Sequence, residues 1–74
     1  MSKMSLNHVA EGQTVRVDEL LATGSIRRRL LDIGLVEGTD VSCLQKSPAY
    51  LIRGAVIAIR SEDSSQIVVE GLLN

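Results

Sequence analysis

At 74 residues with a net charge of −1, the chain has room for one small domain and carries no global field that would draw it to nucleic acid or anionic lipid. Hydrophobic residues make up 45% of it but include one Tyr and no Phe or Trp, so the core must be built from Val, Ile and Leu, which favour strands. A single Cys excludes an internal disulfide. No run approaches the roughly 18 apolar residues of a membrane span or forms a signal-peptide core, which points to a cytoplasmic protein without membrane insertion.

Residues 1–5 show no periodicity and read as a flexible N-terminal tail, leaving residues 6–74 as a single domain. Glu11-Gly12 signals a turn, and Thr14-Val15-Arg16-Val17 alternates as a strand with both valines inward. Residues 18–23 are either a strand extension or a loop carrying Leu20 and Leu21 onto the core. Ser25 to Ile33 is predicted as a helix with Ser25 as its N-cap and a narrow apolar stripe of Ile26, Leu30 and Ile33. Gly34 suits the left-handed residue after a helix, with Leu35 folding back on Leu30, and Val36-Glu37-Gly38 is a turn. A strand is expected over Thr39–Gln45, with Val41 and Cys43 on one face and Leu44 on the other. Ser47-Pro48 punctuates, and Tyr50–Arg53 and Val56–Arg60 are two strands around Gly54, which is either a bulge or a tight bend. Ser61 to Ser64 reads as one helical turn with carboxylates where the dipole favours them, and Ile67-Val68-Val69 as the last strand. About five strands, one short helix and one helical turn predict a mainly β fold, a small closed or partly open barrel.

The words LLDIGLVEGTDV, YLIRGAVIAIR and SSQIVVE, in this order, resemble the FeoA family, small cytoplasmic accessory proteins of bacterial ferrous iron uptake. The resemblance runs from about Leu6 to Glu70. Its most specific parts are Arg29, Leu30, Gly34, Leu35 and Gly38 at the helix ending, and Arg53, Gly54, Ile57, Ala58 and Arg60 in the strand pair. It implies an SH3-like β-barrel, and a partner in the membrane ferrous iron transporter, whose cytoplasmic part is similar to a GTPase. Family members usually carry a Gly-Asp-Pro type turn after the proline between the second and third strands. Here Lys46 to Tyr50 runs almost directly into the next strand, so contacts attributed to that loop are not carried over. Barrels of this kind also form domains of metal-dependent repressors, a relationship of fold.

Arg27-Arg28-Arg29 sits at the positive end of the predicted helix, where each cation is disfavoured by roughly 0.3–1 kcal/mol. Local pairing, with Asp32 four residues after Arg28 or with Glu62 and Asp63, would offset this, as would a partner. An arginine finger given to a GTPase needs a projecting, mobile presentation that a packed helix does not supply. Arg28 and Leu31 turn away from the apolar stripe, and Leu44 away from the core face of its strand. With Arg27 they are the candidate partner-binding residues, on the expectation of a monomer recruited to the inner face of the membrane.

No metal site is expected. His8, Cys43 and scattered carboxylates lack any ligand spacing, so transient ferrous iron association finds no support and no cofactor is implied. Cys43 reads as a small core hydrophobe and His8 as a surface residue. There is no catalytic triad, glycine-rich phosphate loop or paired carboxylate, which argues for a binding module over an enzyme. Nucleic-acid barrels interleave basic and stacking aromatic residues, and Tyr50 alone cannot do that.

Overall fold

A computed structural model describes residues 3–45 and 49–71. Strands β1 (Lys3–Ser5), β2 (Thr14–Leu20), β3 (Asp40–Gln45), β4 (Ala49–Ile52), β5 (Ala55–Ala58) and β6 (Ile67–Gly71) are joined by a 3₁₀ turn at Leu6–His8 and by helices α1 (Gly24–Asp32) and α2 (Ser61–Ser64). All neighbouring strands are antiparallel, in the order β1-β6-β2-β3-β4-β5. The sheet curls around an aliphatic core without closing, because β1 and β5 remain its outer strands.

The alternation in the sequence sets the faces. Val15 and Val17 in β2, Val41 and Cys43 in β3, and Ile67 and Val69 in β6 are all buried, while Arg16 and Asp40 pair outside at 3.2 Å. Burying aliphatic side chains contributes about 1.5–3 kcal/mol each, which is how a core with a single aromatic residue suffices. That aromatic, Tyr50, is buried, and burial pushes its phenol pKa up while a hydrogen bond with Ser64 acts in the opposite direction.

Among the described residues six strands form where about five were expected. The N-terminal segment is not a tail throughout: Lys3, Met4 and Ser5 pair with Glu70, Val69 and Val68 of β6, and Met4 packs on the core. Three residues are too few to show a period, and their partner lies at the other end of the chain. Lys3 also bonds Asp18 at 3.0 Å, a pairing that raises the Lys3 pKa. The ambiguous stretch after Val17 continues as strand to Leu20, with a register shift at Asp18. Gly54 is a tight bend: Arg53 (φ 52°) and Gly54 (φ 82°) form a two-residue turn closed by Ile52 and Ala55. Strand β5 ends at Ala58, so Ile59 and Arg60 lie beyond it. The expected punctuation at Ser47-Pro48, and with it the shortened loop, lies outside the described residues.

Candidate functional site

Helix α1 starts earlier than predicted. Its N-cap is Thr23, extended at φ −127° and ψ 170°, and neither Thr23 nor Ser25 caps it with a side-chain bond. Arg27 therefore closes the first turn, Arg28 stands beyond it, where the positive end of the dipole has largely faded, and Arg29 falls in the last turn, where a cation is favoured. At the other end Leu35 N–H donates to the Leu30 carbonyl (3.0 Å) and Gly34 N–H to that of Leu31 (3.0 Å), the bond pair of a Schellman ending. Gly34 has φ 101°, and Leu30 and Leu35 are fully buried on either side of it. Ile26 and Ile33 complete the stripe, half-buried against the core. The helix is thus pinned, and its outer face is fixed in orientation.

The arginines part company on this frame. Arg27 Nη1 donates to the Leu20 carbonyl at 3.2 Å, and Arg29 Nη2 meets Asp63 Oδ2 at 2.9 Å. The expected pairing of Arg28 with Asp32 does not form. Among the described residues Arg28 has no ion pair or side-chain hydrogen bond, and it points outward. Leu31, three residues on and so its neighbour on the helix surface, is 37% exposed. Leu44 is 45% exposed, but on β3, four residues past the point where the connection from α1 joins that strand. The structure therefore joins Arg28 and Leu31 on one face, assigns Arg27 to an internal bond, and sets Leu44 on the sheet. Of the two leucines expected to reach the core from residues 18–23, Leu20 is buried and Leu21 exposed.

Beside α1 runs a groove that single-sequence reasoning missed. Leu30, Ile33 and Ile57 form its apolar lining, with Arg29, Arg60 and the nearly buried Asp63 at its rim. Its signal in the sequence was only the carboxylate pair Glu62-Asp63 at the start of a helical turn. Cys43 is buried in the core, His8 is exposed, and among the described residues no three of His, Cys, Asp or Glu come together. Nor does any helix among them have the length and apolarity to cross a membrane.

A family model described as the FeoA domain matches residues 4–71. Among solved structures, a FeoA-like protein of Clostridium acetobutylicum superposes with a TM-score of 0.83 at 28% identity, covering 100% of this chain and 92% of that one. The FeoA of Stenotrophomonas maltophilia, solved complexed with zinc and described as a unique procaryotic SH3 domain protein, gives 0.81 at 24%, over 90% and 89%. The IdeR of T. acidophilum gives 0.86 at 22%, but 96% of this chain covers only 35% of that one, a likeness of fold. No curated protein matches the chain.

Proposed function

Because the chain belongs to the FeoA family, we propose that it is a non-catalytic accessory protein of bacterial ferrous iron uptake. It acts as a monomer in the cytoplasm and docks on the inner side of the membrane ferrous iron transporter. There it modulates the assembly of the transporter or the nucleotide cycle of its GTPase-like domain. The observation that carries the docking face is the pairing of the charges on α1: Arg27 and Arg29 are bonded within the fold, while Arg28 stands exposed beside the half-open Leu31. An apolar contact rimmed by an exposed arginine is the composition that protein interfaces favour. Ferrous iron is in this reading the cargo of the transporter, and the accessory protein needs no resident cofactor.

The test is an NMR titration of isotope-labelled protein with the soluble GTPase-like domain of the transporter from the same organism, with and without a GTP analogue. Shifts centred on Arg28 and Leu31 are expected. Silence in both nucleotide states would remove that domain as the partner. A stand-alone metal-responsive regulator, the other reading, leans on the likeness to IdeR, which is one of fold. It would require binding to a regulated partner to depend on a metal ion, and the same titration repeated with ferrous iron and with chelator distinguishes the two.

A further inference from the structure

Among the described residues strand β5 has a neighbour on one side only. Since its hairpin with β4 closes on the pair Ile52–Ala55, Ala55 and Ile57 direct their amides and carbonyls toward β4, and Val56 and Ala58 direct theirs outward. Among the described residues no hydrogen bond from elsewhere reaches the Val56 or Ala58 backbone, and the Val56 side chain is 66% exposed. Protein edges are commonly blunted by a charge, a proline, a bulge or sheer shortness; Ala55-Val56-Ile57-Ala58 carries none of the first three, and its four residues still leave two with outward-facing backbone groups.

The groove of about 200 Å³ lined by Leu30, Ile33 and Ile57 lies along this edge. Arg29 and Arg60 border it, and Arg53 stands exposed at the opposite end of the strand. The carboxylates nearby offset these charges only in part: Glu37 and Asp40 share a depression with Arg53, but Asp40 is paired with Arg16 and no ion pair among the described residues reaches Arg53. Asp63 is bonded to Arg29, and Glu62 lies 3.6 Å from Arg60 with both side chains about 70% exposed, a contact that solvent largely screens. An open apolar edge thus runs between cationic ends.

We infer that the β5 edge receives an extended segment of a partner protein as an added strand, with a branched apolar side chain in the groove and carboxylates against the arginines at the ends. Main-chain bonds to Val56 and Ala58 would supply affinity, and the groove and arginines selectivity. A second copy of this chain fits poorly. Pairing two β5 strands antiparallel, Val56 opposite Ala58 in both directions, brings Arg60 of each copy against the Arg53–Gly54 turn of the other. The inference rests on the reading that the domain works by protein contact, but on a surface separate from the outer face of α1.

The experiment titrates labelled protein with the blocked peptide Glu-Val-Leu-Val-Glu and with Lys-Val-Leu-Val-Lys. The acidic peptide is expected to shift the Val56 and Ala58 amides and the groove residues, to slow exchange of those two amides, and to bind about tenfold more tightly or better than the lysine peptide. Arg60→Glu should reverse that preference. Ala58→Pro removes an outward donor without breaking the β4 ladder and should abolish the shifts; if it unfolds, Arg60→Glu carries the test alone. No shift at β5 with millimolar peptide, equal binding of both peptides, or shifts confined to the outer face of α1 would each overturn the inference. So would concentration-dependent shifts at β5 without peptide, which would give the edge to a second copy. Because the transporter domain is absent here, failure leaves docking through α1 standing on its own titration.

Discussion

Asp63 Oδ2 accepts a 2.9 Å hydrogen bond from Arg29 Nη2, and the two side chains are unequally placed, 10% exposed for the aspartate and 54% for the arginine. The bond ties α1 to α2 across 34 residues of chain. Its loss is felt by the partner left desolvated. Arg29→Ala is therefore expected to cost about 1–3 kcal/mol in urea unfolding, because it strands a nearly buried carboxylate. The double variant Arg29→Ala/Asp63→Ala should cost less than the two single costs added. Strict additivity would show that the two side chains meet without energetic coupling.

Gly34 and Gly54 both have positive φ, yet they should answer substitution differently. A Cβ on Gly34 (φ 101°) would meet Arg53 Cδ at 3.3 Å and Ile52 Cγ2 at 3.5 Å, whereas one on Gly54 (φ 82°) would meet nothing within 4 Å. Gly34→Ala adds crowding to a backbone that L residues avoid, and is expected to cost more than about 1 kcal/mol. Gly54→Asn, in a two-residue turn that accepts Asn, should cost distinctly less. Equal melting temperatures for the two variants would contradict this.

These positions also show what was legible in the chain. The Schellman ending could be read residue by residue, because Leu30, Gly34 and Leu35 are close in sequence and the bonds are local. The inward faces of β2, β3 and β6 followed from alternation, and the FeoA resemblance agrees with a family match that spans residues 4–71. Pairing at long range was not legible. Strand β1 exists only because β6 offers it a partner, and the helix start moved from Ser25 to Gly24 because the chain bends after an extended Thr23. Asp63 was a partner that the sequence offered to the arginines as a group, but that Arg29 takes it and Arg27 turns to the Leu20 carbonyl depended on where those groups arrive in space, which no local pattern encodes.

Stability should fall on the alkaline side. Lys3 has its pKa raised above the ordinary 10.5 by the hydrogen bond to Asp18, so that contribution is complete below pH 10.5 and is lost as pH rises through the higher folded value. Tyr50 is raised above 10.0 by burial, which disfavours the phenolate, so the same window applies: intact below pH 10, weakening as pH climbs through the folded pKa. Urea midpoints between about pH 9 and about pH 11 should fall for the parent and fall less steeply for Tyr50→Phe. Parallel curves would remove Tyr50 from the account.

Leu30 and Leu31 are adjacent in sequence and opposite in consequence. Leu30 is 1% exposed beneath the Schellman ending, and Leu30→Ala is expected to cost about 2–5 kcal/mol, since the cavity cannot fully collapse under a pinned helix. Leu31, 37% exposed, should accept Glu with a change within about 0.5 kcal/mol, as should Leu44 at 45% exposure. Binding should separate these two surface sites. In the proposed docking, Leu31→Glu and Arg28→Glu change the same outer face of α1 and should weaken association with a GTPase-like transporter domain together, whereas Leu44→Glu, out on β3, should weaken it less. Thermal melts alongside the titration decide the matter: a Leu31→Glu variant that unfolds would place Leu31 in the core, and one that folds and binds normally would move the docking face elsewhere.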